Sequence, residues 1–335
     1  MSELGIVIIG RNEGARLVRC LSSIASDAVV VYVDSGSSDR SVAVARDSGA
    51  LVVELDMNKP FTAARARNAG RDRLPAGCRF VQFIDGDCTL QPSWLAAARA
   101  ALDVDDGLAA VFGRRREIAP DASRYNWLCD QEWAVPSGPA SYFGGDVMIR
   151  LVAIDSAGGY CNEMIAGEEP DLAIRMRTRG WRLECLAHEM TLHDAAITRF
   201  SQWWRRAQRS GHAYAELAAR NQGSTLHDYS RRLRGALFWG LAVPLSGLVV
   251  LASAALLKTN SMLFLLAGVI LLTPLAQLAR LLVREAKHRP LEDAVTLAIF
   301  LMLAKPAQSL GIARFWLGQL RGTRSRIIEY KGTVA

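Results

Sequence analysis

The chain has 335 residues, half of them hydrophobic, and a net charge of +7. This length allows about two domains. The basic residues flank apolar segments, without interleaved aromatics or a nucleic-acid-binding module, so the charge indicates anionic lipid head groups and excludes a nucleic-acid partner. The six cysteines show no zinc-ligand spacing, which predicts reduced thiols in a cytosolic domain.

The first third of the chain alternates strand and helix patterns. The predicted strands are 5–9, 28–33, 51–54 and 79–84, and the predicted helices between and after them are 13–24, 39–48, 62–73 and 92–102. Such alternation predicts βαβ units around a mostly parallel sheet, the α/β class. Residues 105–165 are less regular. Two more helices are predicted, at 168–179 with Gly180 as its stop, and at 198–220.

Polar motifs follow the predicted strands. Arg11-Asn12-Glu13 follows the first strand, the acid- and serine-rich segment 34–39 the second, and Asp85-Gly86-Asp87 the strand at 79–84. Open α/β sheets bind ligands beyond the carboxyl ends of their strands. Two acids at that position can hold a divalent cation, which can hold a diphosphate. The usual dinucleotide fingerprint and the P-loop motif are both missing from the sequence.

Five motifs in this order resemble the family 2 glycosyltransferases of GT-A fold. They are the three strand-end motifs, Ala66-Arg67-Asn68-Ala69-Gly70, and Gly167-Glu168-Glu169-Pro170-Asp171-Leu172 with Arg175. The resemblance covers about residues 4 to 200. It implies a Rossmann-like GT-A domain that transfers a sugar from a nucleotide-diphosphate sugar with inversion at the anomeric carbon, using Mn²⁺ or Mg²⁺.

The resemblance also implies the roles of individual residues. Contacts to the donor are expected at Arg11, Glu13, Asp34, Arg67, Asp85 and Asp146. Asp87 is expected to hold the metal, with Asp85 on the metal through water or on the ribose, and His193 as a further ligand. Three alternatives stay open: Asp34 in an Asx turn, Arg67 as a surface arginine, and His193 as a structural residue.

The acids at the start of the helix 168–179 are the candidates for the catalytic base. The usual family string is Gly-Glu-Asp-x-Asp-Leu, and its second acid activates the acceptor. That position is Glu169 here, so we expect Glu169 to be the base and Glu168 to orient it. The alternative is that these acids only complement the helix dipole, in which case Asp146 is the next candidate.

The C-terminal part contains long apolar segments. Residues 235–257 and residues 259–279 contain no charged residue, and Lys258 separates the two stretches. Their length and composition predict membrane spans at about 235–257 and 261–280. A buried hairpin of a soluble protein is the alternative. The apolar stretch 291–320 is interrupted by Lys305-Pro306, which favours a re-entrant or interfacial helix pair over a third span. Residues 321–335 form a basic tail.

These segments predict a catalytic domain at 1–200, an amphipathic linker helix at 201–234 and a multi-pass membrane region at 235–320. Nucleotide sugars are cytosolic and the loop after the second span is basic, so the catalytic domain is expected on the cytosolic side of the cell (inner or plasma) membrane. The expected partners are the donor, a lipid-linked or glycan acceptor, and membrane lipids.

Two basic residues follow the catalytic domain in the segment Gln202-Trp203-Trp204-Arg205-Arg206. This segment loosely resembles the Gln-x-x-Arg-Trp element of membrane polysaccharide synthases, which implies that Arg205 and Arg206 meet the diphosphate. An interfacial amphipathic helix is the alternative. For the whole protein, a processive polysaccharide synthase and an inactive scaffold are the alternatives to a simple transferase.

Overall fold

The computed structural model describes residues 3–24, 27–221, 227–256, 261–323 and 327–328, with the backbone alone at 227 and 228. The chain divides into an N-terminal unit that ends at Phe200 and a C-terminal unit that begins at Ser201. The N-terminal unit contains a β-sheet with helices. In the C-terminal unit, the described elements are all helical.

The first half of the sheet is parallel. Its strands are β1 (Leu4–Gly10), β2 (Val29–Asp34), β3 (Leu51–Glu54) and β4 (Phe80–Asp85), joined by helices α1 (Ala15–Ser22), α2 (Ser41–Asp47) and α3 (Ala63–Arg71). They pair in the order β3-β2-β1-β4. Strand β1 is buried along nearly its whole length, as expected for a parallel strand covered on both faces. The α/β fold class is confirmed.

The second half of the sheet is mixed in direction. Its strands are β5 (Cys88–Leu90), β6 (Leu108–Glu117), β7 (Gly138–Pro139), β8 (Val147–Arg150) and β9 (Arg182–His193), and its helices are α4 (Trp94–Val104), α5 (Arg124–Trp133), α6 (Leu151–Ala157) and α7 (Glu168–Thr178). The order continues β4-β8-β6-β9-β5, with β7 beside β9. Strand β6 pairs parallel with β9, whereas β8 and β5 run antiparallel to their neighbours.

The expectation of little regular structure at 105–165 is wrong. Strand β6 is irregular in its pairing, with register shifts on both sides of Arg114, and its apolar run gives way to Gly113 and arginines. Those shifts break the two-residue alternation by which a strand is recognised. Strand β9 pairs with β6 across the same shifts. The broken alternation explains why the sequence predicts no strand at the positions of β6 and β9.

The register of the parallel strands places the polar motifs at one edge. Gly10 at the end of β1 lies opposite Asp34 at the end of β2, and Ile9 lies opposite Asp85 at the end of β4. Below this edge the core is closely packed, with Tyr32 and Phe83 fully buried. The motifs after the three strands therefore stand on a rigid base.

Helix α7 carries the candidate base and has well-defined ends. Gly167 before it and Gly180 beyond it have left-handed φ angles of 85° and 89°, which glycine adopts at little cost. Its first turn contains acids and its last turn arginines, an arrangement that complements the helix dipole. Within the helix, Arg175 NH2 lies 2.7 Å from Asp171 Oδ2.

The C-terminal unit consists of α8 (Phe200–Arg220), α9 (His227–Leu237), α10 (Val243–Leu256), α11 (Ser261–Glu285) and α12 (Leu291–Leu320). A π-helical turn at Phe238–Ala242 joins α9 to α10. Among the described residues, three helical stretches are long and apolar enough to cross a membrane: Tyr229–Leu256, Ser261–Glu285 and Leu291–Leu320.

Helix α12 is continuous through Lys305-Pro306, so the predicted break into a helix pair is wrong. A proline inside a helix typically costs about 3 kcal/mol or more. Packing around the proline offsets that cost: Ser309 Oγ lies 3.0 Å from Lys305 O and donates to Ala236 O at 2.9 Å. At Gly240 the backbones approach so closely that a Cβ would collide with Lys305 O.

Candidate active site

Asp87 and His193, two predicted metal ligands, lie side by side. His193 ends β9, which pairs antiparallel with β5, and Asp87 immediately precedes β5. Asp87 Oδ2 is 3.5 Å from His193 Nε2, and both side chains are buried. The main chain connects the same segments, because Asp194 N donates to Asp87 O at 3.0 Å. The sheet thus joins two residues that are distant in the sequence.

Glu117 lies behind His193 and was not predicted. It is opposite His193 in the β6–β9 pairing, and its Oε2 is 3.6 Å from His193 Nδ1. Burial raises the pKa of Glu117 to about 7, while its Oε2 accepts a hydrogen bond from Ala195 N. The edge of the Trp133 ring also packs against the imidazole. A carboxylate at one imidazole nitrogen is the usual device that orients a metal-binding histidine at the other.

Asp85 lies between two arginines. Arg67 NH2 is 3.0 Å from its Oδ1, and Arg115 NH2 is 3.2 Å from its Oδ2. Its main-chain N–H donates to Asp146 Oδ1 at 3.0 Å. Because both carboxylate oxygens face a guanidinium, Asp85 is a poorer candidate for a direct metal ligand than Asp87.

Asp146, a predicted donor contact, is buried within the same network. Its Oδ2 accepts from Thr191 Oγ1 at 2.8 Å and lies 3.3 Å from Arg115 Nε. Arg115 was not predicted. The sequence signal that could have found it is the run of three arginines that precedes Glu117, the last residue of β6, since consecutive charges near the end of a buried strand are unusual.

Arg67 connects Asp85 with the two candidate bases. Its NH1 lies 3.1 Å from Glu168 Oε1 and 3.0 Å from Glu169 Oε1. The Arg67 side chain is only 3% exposed, so the alternative of a surface arginine is wrong. The Cζ atom also lies 5.6 Å from the centre of the Tyr160 ring. Arg67 is therefore a buried cation shared by three carboxylates.

The two glutamates differ in accessibility. The Glu168 side chain is 2% exposed and that of Glu169 is 17% exposed. Burial, and then the charge of Glu168, raise the pKa of Glu169 to about 7. A general base works best with a pKa near the operating pH, and it must be reachable by the acceptor. Both properties favour Glu169.

The loops after β1 and β2 support each other. Asp34 Oδ2 accepts from Gly36 N and Ser37 N at 2.9 and 2.8 Å, which is the Asx-type turn left open as the alternative. Asn12 Oδ1 accepts from Ser38 N at 2.7 Å. The two turns are thereby held together at the edge of the sheet.

The remaining predicted donor residues of these loops differ in their surroundings. Glu13 Oε2 lies 3.0 Å from Arg16 NH2, and the Glu13 side chain is mostly buried. Arg11 is exposed. The backbone turn shaped by Asp34 and the exposed guanidinium of Arg11 leave polar groups that a nucleoside could contact, and these two assignments stay predictions.

Arg205 and Arg206 lie in α8 of the C-terminal unit. Arg205 is exposed and Arg206 is partly exposed. The neighbouring Trp203 is buried and packs edge-on against Phe300, with ring centres 4.9 Å apart. The part that the two arginines play therefore stays a prediction.

The residues around Asp87 fit a divalent cation. One ligand atom each from Asp87, Cys88 and His193 lie within 4.8 Å of one another, and so do those of Asp85, Cys88 and Asp146. Carboxylate and imidazole ligands suit Mn²⁺, and carboxylates suit Mg²⁺. The carboxylates of Asp85 and Asp146 face arginines, which disfavours them as direct ligands, so Asp87 and His193 are the better candidates.

Comparison with known proteins identifies the class. Residues 5–140 match the model of "Glycosyl transferase family 2". The match covers the N-terminal part of the chain, and the fold of that part is GT-A.

Curated relatives match over part of their length. The chain is 28% identical over 242 residues to the pre-mycofactocin glycosyltransferase of Mycobacterium tuberculosis, an alignment that covers 67% of this chain and 49% of the relative. It is 35% identical over 121 residues to the TPR repeat-containing protein Synpcc7942_0270 of Synechococcus elongatus, covering 36% of this chain and 29% of the relative. The chain thus spans about half the length, or less, of these relatives.

Solved structures share the fold. The mannosyltransferase PcManGT of Pyrobaculum calidifontis, in complex with GDP-Man and Mn²⁺, superposes with a TM-score of 0.60 at 20% identity, covering 92% of this chain and 87% of that one. TarS 1–349 of S. aureus gives a TM-score of 0.51 at 14% identity, covering 96% and 92%. At these identities the likeness establishes the fold.

Proposed function

We propose that the protein is a membrane-anchored, inverting glycosyltransferase. It moves a sugar from a nucleotide-diphosphate sugar to a hydroxyl of a lipid-linked or glycan acceptor at the cytosolic membrane face. The observation that carries this proposal is the buried Arg67, which joins Asp85 at the end of β4 to Glu169 at the start of α7. The match of residues 5–140 to the family model and the metal-type ligands at Asp87 and His193 support it.

Asp87 and His193 are the residues that would hold Mn²⁺ or Mg²⁺. Such a cation neutralises the diphosphate leaving group when it is bound. PcManGT, which shares the fold, was solved with GDP-Man and Mn²⁺, which supports a donor bound together with a metal. Glu117 orients His193, and the paired arginines keep Asp85 in a fixed position for the donor.

Glu169 is the proposed general base. It accepts the proton of the acceptor hydroxyl as the oxygen forms its bond to the anomeric carbon and the bond from that carbon to the diphosphate oxygen breaks. A base on the side opposite the leaving group gives in-line displacement and inversion. Arg67 stabilises the carboxylate before the transfer, so the base is available near neutral pH.

The helices of the C-terminal unit are proposed to hold the protein in the membrane. Their exposed surface is rich in large apolar side chains, for example Leu248, Leu265 and Leu272, each about half exposed. A surface of this kind suits lipid rather than water. The cytosolic orientation follows from the cytosolic location of nucleotide sugars.

Thermal unfolding in the presence of donors tests this function. UDP-, GDP- and dTDP-sugars are added to the full chain in detergent with and without Mn²⁺. A donor at 100 times its Kd stabilises the folded state by about 2.7 kcal/mol. We expect one nucleotide class to raise the Tm, and to do so only with the metal.

Two variants sharpen the result. Asp87→Ala should abolish the metal-dependent shift, and Asp121→Ala, at an exposed position away from these residues, should keep it. If no nucleotide class stabilises the wild-type protein, the proposed function is wrong.

A further inference from the structure

Cys88 lies within the proposed cation site and has no role in the function described so far. It is the first residue of β5 and lies directly opposite His193 of β9 in an antiparallel pair. Directly opposite residues in such a pair project from the same face of the sheet. Cys88 is fully buried, and its Sγ lies 3.7 Å from Asp87 Oδ1. The sheet register therefore places a sulfur atom beside the carboxylate and the imidazole.

Two of the three separations are of the size found between ligands of one cation, and one ligand atom of each of the three residues lies within 4.8 Å of the others. Bonds of about 2.0–2.2 Å to nitrogen and oxygen and about 2.3 Å to sulfur put neighbouring ligand atoms roughly 3.3–3.7 Å apart. The observed values are 3.5 Å from His193 Nε2 to Asp87 Oδ2 and 3.7 Å from Cys88 Sγ to Asp87 Oδ1. The two values involve different oxygens of Asp87, so both oxygens of this carboxylate would be available to a cation held by the set.

Arg115 supports a sulfur ligand from outside the set. Its NH2 donates to Cys88 Sγ at 3.1 Å, while the same guanidinium contacts Asp85 and Asp146. An N–H donated to a sulfur is the usual arrangement around a metal-bound thiolate, because it stabilises negative charge without occupying the metal. The acids that share Arg115 offset its charge.

We propose that Cys88 is a third protein ligand of the cation site, and that the Asp87–Cys88–His193 set binds thiophilic cations such as Co²⁺, Zn²⁺ and Cd²⁺ through a metal–sulfur bond. The proposal rests on the cation site of the proposed function. On binding, the thiol proton leaves to the solvent and the sulfur bonds to the metal. Thiophilic cations then compete with Mn²⁺ for this cation site.

A ranking of metal affinities alone does not test this proposal. Sites of nitrogen and oxygen ligands already bind Co²⁺ and Zn²⁺ more tightly than Mn²⁺. The contribution of the sulfur is measured by the difference between the wild-type protein and Cys88→Ser, in which a hydroxyl replaces the thiol.

The first experiment is a Co²⁺ titration of the full chain, followed by the sulfur-to-cobalt charge-transfer absorption in the near ultraviolet. We expect a band that saturates at one equivalent, that is lost in Cys88→Ser, and that persists in Cys161→Ser, the control at the one cysteine that is not buried. Cd²⁺ affinity should fall at least about tenfold in Cys88→Ser, whereas Mn²⁺ affinity should change by less than about threefold. A band that survives in Cys88→Ser would overturn the proposal.

A second measurement does not depend on the folding of the Cys88 variant. X-ray absorption of the Zn²⁺-loaded Cys161→Ser protein should show a zinc–sulfur distance of about 2.3 Å. Only nitrogen and oxygen neighbours would overturn the proposal and leave the proposed function intact. By contrast, unchanged Mn²⁺ binding in Asp87→Ala would contradict the cation site itself.

Discussion

The buried Arg67 and the partly exposed Glu169 form an ion pair, with 3.0 Å between NH1 and Oε1. The same guanidinium contacts Asp85 at the end of β4. One side chain thus connects the strand end that is proposed to face the donor with the helix that carries the proposed base. A positive charge at this distance favours the ionised form of Glu169, whereas burial and Glu168 favour the neutral form.

The first prediction concerns the pH dependence of Arg67→Met. Without the guanidinium, the pKa of Glu169 should rise above about 7, and the acidic limb of the profile of kcat/KM against pH should move to higher pH. A rise of one unit lowers the rate roughly tenfold on that limb. The control is Arg65→Met on the same helix, because Arg65 donates to main-chain carbonyls of Asp56 and Lys59. An unshifted acidic limb in Arg67→Met would show that the ion pair does not lower the pKa of Glu169.

The second prediction concerns stability. The pKa of Glu169 is raised in the folded state from 4.5 to about 7, so the folded state binds its proton more tightly than the unfolded chain does. Stability should therefore fall as the pH rises from about 4.5 to about 7. Glu169→Gln removes this loss and should gain on the order of 1–3 kcal/mol over the wild type between these pH values. Urea unfolding at both pH values measures it, with Asp121→Asn as the exposed control; equal gains at both pH values would contradict the assignment.

The third prediction concerns His193, a proposed metal ligand, and Glu117, which lies behind it. His193→Ala should weaken Mn²⁺ binding by at least tenfold, and Glu117→Gln by about 10–100-fold, because the imidazole loses its orienting carboxylate. The matched control is His188→Ala, at an exposed position of the same strand. Free Mn²⁺ is followed by electron paramagnetic resonance. Wild-type affinity in His193→Ala would mean that this histidine is structural.

The fold was predictable where local pattern and tertiary structure agree. Strands β1 to β4 end in polar motifs and alternate with helices, so their position and the edge that they form follow from the sequence. Strands β6 and β9 could not be predicted, because the register shifts beside Arg114 interrupt the alternation of buried and exposed residues. Likewise, Pro306 predicts a helix break from the sequence alone. The contacts of Ser309 and Gly240, which accompany the continuous helix, cannot be read from the sequence.

The same distinction applies to the site. Asp87 and Glu169 were predicted from motifs and their order, and His193 from the resemblance; the structure places Asp87 beside His193. Glu117, Arg115 and Cys88 were not predicted, because their importance comes from the pairing of β5, β6 and β9, which brings together residues that no motif links. Arg67 was found, but its position between three carboxylates could not be derived without the fold.

The fourth prediction concerns the close approach of α8 and α12. A Cβ at Gly311 would collide with Gln208 O, so Gly311→Ala should destabilise the C-terminal unit by about 1–3 kcal/mol. Gly268 of α11 has open space around its Cα, so Gly268→Ala should be neutral or gain up to about 1 kcal/mol from helix propensity. Thermal unfolding in detergent compares the two. A gain in both variants would contradict the helix packing.

The central claim is that Glu169 removes the acceptor proton while Asp87 serves donor binding. The most direct test is the release of nucleoside diphosphate in a single turnover, with donor affinity measured in parallel. Glu169→Gln should bind the donor normally and react about 10²–10⁴-fold more slowly. Glu168→Gln should be milder, and Asp87→Ala should lose metal-dependent donor binding. If Glu169→Gln turns over at the wild-type rate, the assignment of the base is contradicted; if Glu168→Gln is the inactive variant, the base is one residue earlier in the helix.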